Sequence, residues 1–545
     1  MASPVIEIEK KYDVGPDAVV PPLQELPGVA RVGTPHTAVL EAVYFDTDRH
    51  ALASRRITLR RRTGGADAGW HLKLPPEATA ETGPQQRREL QAPLGQPDVV
   101  PDSLLAHVQA YLRGAEVKPV VRLKTRRTTH ALYGEDGVHL ADLADDQVEA
   151  ARLRPDVEEQ PQTWREWELE LVHGGPELFA PAEQFLAAAG ARPAGHASKL
   201  ARALGSDSGA GIREQGPYGR EGPDEQETPG EQGGPEQQSP ATLLAGKLLA
   251  GKKAPAAAVV TVYVAEQLRQ LIAEDAAVRL EEPEGIHKMR SSIRRLRSVL
   301  AAYRKLYRAM PVRRLRDELG WLGQLLGGPR DSEVALERLR GHLDELPPGE
   351  GTDAAREQVE RQGVAAFDTG YRRVQEALQS ERYFRLLDNL EDFRDRPPVR
   401  AEAVAPGRRV AAKAVDKSVR RLRRSHKAAR HARRGTAHEN ALHQVRKDAK
   451  RLRHVAESAA LVKGKRAGKV AKAAHQQQKI LGDYHDAVIA RNLLQDLAAA
   501  QGLPASTAQA FAALQKRQAE LMDEAEAKYR KARKKSRDLL RRGVL

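Results

Sequence analysis

Cysteine is absent from all 545 residues, which removes disulfides, thiolate nucleophiles and thiolate metal ligands and suits a reducing compartment. Aromatic residues make up 4% of the chain, few for a surface that recognises nucleic acid by stacking bases. Long apolar runs are missing too: the longest, Ala254 to Ala265, falls short of the roughly 20 residues that a membrane helix needs. The amino terminus, VIEIEKKYDV, offers no cleavable apolar segment. Neither export nor membrane insertion is expected, and the cytoplasm is the expected location. What the chain does have is length for two or three domains and a large charge.

That charge is unevenly placed. Residues 1–240 carry 26 Lys and Arg against 37 Asp and Glu, whereas the remainder carries 63 against 37. A half so basic repels itself when compact and attracts polyanions, of which polyphosphate and nucleic acid are the candidates. Residues 205–240 hold nine Gly, five Pro and eight acidic residues against two basic ones, with almost nothing apolar. Such a segment cannot bury a core and is expected to be a flexible linker between a domain at 1–204 and another at 241–545.

Ahead of the linker, short runs alternate with period two: VIEIEKKY, AVYFDT, ITLRRRT, WHLKL, VVRLKTRR, VHLADLA and WREWELELV. Glu7, Glu9 and Lys11 share one strand face, with Ile6 and Ile8 on the other. Glu166, Glu168 and Glu170 oppose Trp167, Leu169 and Leu171 in the same way, while Arg60, Arg62 and Lys73 add bases. A single charged face normally meets water. Several strands that sort carboxylates and bases onto one face, backed by apolar residues needing a second layer, fit a closed barrel with a polar interior.

The opening Glu7-x-Glu9-x-Lys11, with Tyr44-Phe45-Asp46-Thr47, Leu59-Arg60-Arg61-Arg62, Lys73 and Glu168-x-Glu170, resembles the CYTH or triphosphate-tunnel family over roughly residues 4 to 204. The resemblance implies an eight-stranded antiparallel β-barrel tunnel that binds a triphosphate group with Mg2+ or Mn2+. By the same carry-over Glu7, Glu9 and Lys11 are the catalytic candidates. Glu7, Glu9, Glu168 and Glu170 are metal-side carboxylates, joined by Asp142 or Asp145. Lys11, Arg60, Arg62, Lys73, Arg122, Lys124 and Lys199 are phosphate ligands, with Arg126 or Arg127 as alternatives in the RLKTRR stretch.

Beyond the linker the apolar period becomes helical, and the sequence repeats itself. His287, Arg290, Arg294, Arg295, Leu296 and Arg297 recur 156 positions later as His443, Arg446, Lys450, Arg451, Leu452 and Arg453. LLGGPRDSEVA from Leu325 is echoed by ILGDYHDAVIA from Ile480. In the first copy His287, Arg290, Arg294 and Arg297 fall within a sector of about 80° beside an apolar stripe. A basic row of this kind on one helix is commonly a solvated face, yet its recurrence in both copies favours a shared anion. Arg408 to Lys472 adds 22 basic residues against four acidic ones. Zinc is a poor reading of His426, His431, His438 and His454 in such surroundings.

The duplicated H-x-x-R-x-x-x-[RK]-R-L-R helix and its L-G-x-x-[RH]-D block resemble the CHAD family over roughly residues 241 to 540. That resemblance implies an all-α pair of four-helix bundles with a basic groove for inorganic polyphosphate. Its candidate ligands are His287, Arg290, Arg294, Arg297, His443, Arg446, Lys450 and Arg453, while Asp331 and Asp486 hold arginines or cap helices. The whole is therefore expected to be an α+β multidomain protein that binds polyphosphate, with association to polyphosphate granules. Its tunnel is expected to hydrolyse inorganic triphosphate or polyphosphate ends. A non-catalytic granule-targeting protein is the alternative, and an RNA-binding factor ranks below both.

Overall fold

The structure, a computed structural model, describes residues 5–75, 85–153, 161–205 and 254–542, so the expected linker lies, apart from Gly205, outside the described residues. The described residues form two compact units, one on each side of it.

The first unit carries ten strands: β1 (Val5–Val14), β2 (Arg31–Val32), β3 (His36–Asp46), β4 (Thr58–Thr63), β5 (Gly69–Leu74), β6 (Gln85–Ala92), β7 (Lys118–Tyr133), β8 (His139–Arg152), β9 (Gln162–Leu171) and β10 (Arg192–Pro193). Eight of them close into an antiparallel barrel in the order β1-β6-β5-β4-β3-β7-β8-β9, with β9 pairing back onto β1 through Lys11↔Glu168 and its neighbours. The two-residue strands β2 and β10 attach to β7 and β1. The fold expected for this half is thus observed. Strand β6 stands out because its QQRREL stretch offers almost no apolar alternation to flag it.

Charge goes inward and apolar surface outward. The outer wall buries Phe45, Leu59, Trp70 and Leu72 beneath Leu104, Val108 and Leu112 of helix α1 (Asp102–Leu112). It buries Tyr12, Leu143, Trp167 and Leu169 beneath Phe179, Ala182 and Leu186 of α2 (Phe179–Ala188). Trp70 and Trp167 are fully buried there, each contributing on the order of 4 kcal/mol from the area removed from water. The short helix α3 (Lys199–Leu204) packs Leu200, Ala203 and Leu204 against Ala42, Tyr44, Leu123, Val148 and Ala150. Those five residues lie on the inner face, so α3 stops one end of the barrel.

The second unit is helical: α4 (Ala256–Arg279), α5 (Gly285–Ala302), α6 (Ala309–Leu325), α7 (Gly327–Asp344), α8 (Glu350–Leu378), α9 (Glu381–Asp395), α10 (Gly407–His431), α11 (Thr436–Ala498) and α12 (Ala505–Arg542). Gly464, at φ 51°, breaks α11 into two segments. The duplication is visible element by element. Helices α4, α5, α6 with α7, and α8 correspond to α10, the first part of α11, its second part, and α12, giving two sets of four helical rods with α9 additional. Among the described residues no helix is long and apolar enough to cross a membrane.

Candidate functional site

Because β-strand side chains alternate, one parity of each barrel strand meets in the lumen. Glu7, Glu9 and Lys11 come from β1, Arg60 and Arg62 from β4, Lys73 from β5, Arg87 and Glu89 from β6, Arg127 from β7, and Glu168 and Glu170 from β9; all line a cavity of about 230 Å3. Lys199 enters from α3, whose first turn is capped by Ser198 Oγ accepting from the Ala201 amide at 3.1 Å.

Within this lumen the charges pair across strands. Lys11 contacts Glu168 and lies 3.0 Å from Glu9, and Lys73 contacts Glu7. Arg127 reaches Asp146 and Glu168, each at 2.6 Å. Lys199 Nζ sits among Asp146 (2.9 Å), Glu166 (2.6 Å) and Glu168 (2.7 Å). Burial and a hydrogen bond shared with Glu89 push Glu7 up to about 8. At Glu9 burial acts the same way, but Lys11 and Lys73 outweigh it and hold the carboxyl down to about 2. Two acids separated by one residue on one strand thus carry different protons at neutral pH.

The carboxylates also bear on metal binding. Asp146, Glu166 and Glu168 are buried and can bring one oxygen each within 4.8 Å of the others, the single group of three or more potential metal ligands found among the described residues. Hard oxygen donors suit a divalent cation such as Mg2+ or Mn2+. Glu9 Oε1 is a further buried oxygen without a hydrogen-bond partner. The donor set therefore fits a hard cation, and Lys199 Nζ lies among the same three carboxylates.

Some expected positions fall elsewhere. Arg122 and Lys124 are exposed on the outer face of β7, and it is Arg127, on the opposite parity, that points inward. The reason is α3: where that helix stops the barrel the inner face must be apolar, so Val121 and Leu123 turn in and the intervening bases turn out. Asp142 pairs with His139 at 2.8 Å and does not line the cavity. Asp145 faces outward and receives Arg165 at 2.8 Å and the Trp167 indole at 3.1 Å. The site also takes in Asp146, Glu166, Arg87, Glu89 and Tyr44, none of which the resemblance names as a ligand. In QQRREL the charges occupy both parities, so nothing marks Arg87 and Glu89 as inward, and nothing in ADLADDQ distinguishes Asp146 from its neighbours.

In the helical unit α5 and the first part of α11 run side by side in one direction, since contacts advance together along both: Ser298 with His454 at 3.1 Å, then Tyr303 with Ser458 at 3.2 Å. Arg290, Arg294, Arg446 and Lys450 converge beside this pair, each shifting or being shifted by the others' charge. Burial, then Arg294, Arg446 and Arg290, push Lys450 down to about 6. The repeated Leu-Gly block now has a physical role. Arg290 Nη2 would lie 3.3 Å from a Cβ on Gly327, so that glycine gives the guanidinium room, whereas a Cβ on Gly482 would meet Arg446 Nε at an ordinary 3.9 Å. Asp331 then receives Arg290 at 2.8 Å.

Of the four further candidates, His287 and His443 adjoin that centre, the first lowered by burial and in part by Arg294 and Arg290, the second by burial and in part by Arg446 and Lys450, while Arg297 and Arg453 stand apart from it. His443 packs against His485 with ring centroids 4.4 Å apart, and burial pushes both down to about 4. His287 is half-buried and lowered by burial and Arg330. Arg453 pairs with Glu457 at 2.7 Å and with His475 at 2.9 Å, while Arg297 lies beside Arg316.

A polar tunnel whose carboxylates and bases face each other, joined in one chain to a duplicated helical unit with a buried basic centre, defines a two-domain class of protein. The chain belongs to the proteins that combine a CYTH domain with a CHAD domain: the profile of the CYTH domain matches residues 6–204 and that of the CHAD domain residues 262–495. It is similar to the uncharacterized protein Rv2226 of Mycobacterium tuberculosis, 38% identical over 511 residues that span 91% of this chain and 89% of the relative. Among solved structures, PptA from Streptomyces chartreusis is 20% identical with a TM-score of 0.45, covering 51% of this chain and 99% of its own. The CHAD domain from the plant Ricinus communis is 25% identical with a TM-score of 0.41, covering 52% of this chain and 92% of its own.

Proposed function

We propose that the tunnel binds a triphosphate group, inorganic or at the end of a polyphosphate chain, and hydrolyses it with a divalent cation, while the helical unit holds the polyphosphate chain. The observation that carries the reading is the lumen itself, a cavity of about 230 Å3 lined by both bases and carboxylates. Arg60, Arg62, Lys73 and Arg127, all in the cavity lining, would donate to non-bridging phosphate oxygens. Asp146, Glu166 and Glu168, with Glu9 beside them, would hold the cation, and when bound it supplies charge neutralisation and polarises the phosphoryl group. Water adds to the terminal phosphorus as the bridging P–O bond breaks, and the bases stabilise the charge left on the departing phosphate.

The test is phosphate release from inorganic triphosphate with Mg2+ or Mn2+, in the full chain and in Glu9→Gln. Turnover that falls at least about a hundredfold in the variant supports hydrolysis. A non-catalytic polyphosphate holder is the second reading, favoured by the three carboxylates that already surround Lys199. Absence of turnover with either metal would leave that reading in place. For the helical unit, RNA that resists displacement by an equal phosphate concentration of polyphosphate would overturn the choice of ligand.

A further inference from the structure

A faithful duplication would place matching surroundings on the two sides of the paired helices. Here the two sides differ in charge. Around Arg295 helix α4 presents Gln267 and Gln270, whose side-chain oxygens lie 3.5 Å from its Nη1. Glu457 adds a carboxylate 3.8 Å from Arg295 and 2.7 Å from Arg453. Charge on that side is answered by Glu457, although Arg295 Nε is buried without a hydrogen bond.

Arg451 is the copy of Arg295, and its surroundings are the reverse. At the positions of Gln267 and Gln270, helix α10 carries Ser418 and Arg421, and at those of Glu266 and Ala273 it carries Lys417 and Arg424. The result is a cavity of about 220 Å3 with Arg304, Arg316, Lys417, Arg421, Arg424 and Arg451 in its lining. Asp448 is already engaged, accepting from Arg421 at 2.6 Å, Ser425 at 2.5 Å and Gln444 at 3.0 Å. Among the described residues no carboxylate forms an ion pair with Arg316, Lys417, Arg424 or Arg451, and Arg316 Nε is buried without a hydrogen-bond partner. Burial, then Arg421 and Arg316, pull the Arg451 guanidinium below its ordinary value, and Arg304 does the same to Lys417.

Six cations around one small cavity are mutually repulsive until an anion enters. Guanidinium forks match tetrahedral oxyanions, and several of them match a ligand with more than one phosphoryl group. The lining contains no aromatic side chain on which a base could stack. We propose that this pocket is a second anion site, taking a short run of condensed phosphate, and that the other copy of the duplication has lost or never acquired it. The proposal rests on the phosphate-chain reading of the Arg290, Arg294, Arg446 and Lys450 centre. Its ligand has two sources: a stretch of a long chain also held at that centre, or a separate short oligophosphate.

The experiment is arginine footprinting of the full chain with phenylglyoxal, resolved by peptide mass spectrometry, with inorganic triphosphate and long-chain polyphosphate as separate probes. Arg421 and Arg424 are expected to be labelled in the protein alone and protected several-fold by polyphosphate. Protection by the long chain only identifies it as the source, and protection by both probes identifies a site for short oligophosphates. Protection at Arg294 and Arg446 with none at Arg421 and Arg424 overturns the pocket and leaves the central reading standing. Protection at none of the four overturns both. A second measurement uses Lys417→Gln combined with Arg424→Gln, two exposed side chains without an ion pair in the described residues. Long-chain affinity at low salt is expected to fall roughly tenfold, and an unchanged affinity refutes the site.

Discussion

His454 Nδ1 lies 3.1 Å from Ser298 Oγ, and the two residues are each other's counterparts in the duplication, 156 positions apart. A contact between equivalent positions can arise only near the pseudo-twofold axis relating the copies, so this pair marks where the two halves of the helical unit meet. The imidazole is 3% exposed. Burial, then Arg453 and Arg295, hold it well below the ordinary histidine value. The unfolded chain therefore binds this proton first as pH falls. Stability is full above about pH 6.5 and declines by about 1.4 kcal/mol per pH unit below it, until the folded-state value is reached. Urea midpoints of the helical unit are expected to drop between pH 7 and 5.5, and His454→Asn is expected to remove part of that drop. An unaltered pH dependence in the variant would assign the effect to other histidines.

The lumen makes a sharper demand on β7. Arg127 faces Asp146 and Glu168, whereas Lys124, three residues earlier, is exposed on the outer face. If the tunnel hydrolyses triphosphate, Arg127→Ala is expected to reduce kcat/KM by about a hundredfold or more, and Lys124→Ala to leave it within about twofold. Equal losses in steady-state phosphate release would mean that the strand register assigned to the bases is wrong.

That contrast also shows what the amino-acid order can convey. Alternation alone put Glu7, Glu9 and Lys11 on one face, and closing the barrel turned that face inward, because the apolar partners had helices α1 and α2 to pack against. In RLKTRR, bases occupy both parities, and the deciding contact is made by Leu200, Ala203 and Leu204, more than 70 residues away in sequence. Asp146 was hidden for a similar reason. Three aspartates within five residues all look alike until Arg127 and Lys199, from other elements, select one. The helical repeat was legible because both its basic row and its Gly-Asp block recur. The pairing of Arg453 with Glu457, four residues on along the same helix, was legible from that spacing, whereas its contact with His475, 22 residues on, was not.

If Asp146, Glu166 and Glu168 take a divalent cation, Lys199 competes with it for the same carboxylates. Removing the ammonium in Lys199→Ala is expected to tighten Mn2+ binding roughly tenfold in the absence of phosphate. The readout is built in, because Trp164 Nε1 donates to Glu166 at 2.7 Å, so occupancy of the acidic group disturbs an indole. Tryptophan fluorescence titrated with Mn2+ should saturate at lower metal in Lys199→Ala and lose its response in Glu166→Gln. Weaker binding in Lys199→Ala would show that the lysine assembles the site instead of occupying it.

The basic centre of the helical unit predicts proton uptake. Burial and the charges of Arg294, Arg446 and Arg290 push Lys450 down to about 6, so at pH 7.5 without an anion its amine is mostly neutral. A phosphate chain laid across these residues reverses the balance and returns the amine toward its ordinary value near 10. Binding should therefore take up close to one proton per chain between about pH 6.5 and 9.5, and affinity should weaken as pH rises through that window. Calorimetry of long-chain polyphosphate in buffers of different ionisation enthalpy measures the uptake directly. Lys450→Met should abolish it while leaving the Arg290–Asp331 pair in place, and a wild-type slope of zero across buffers would remove Lys450 from the ligand set.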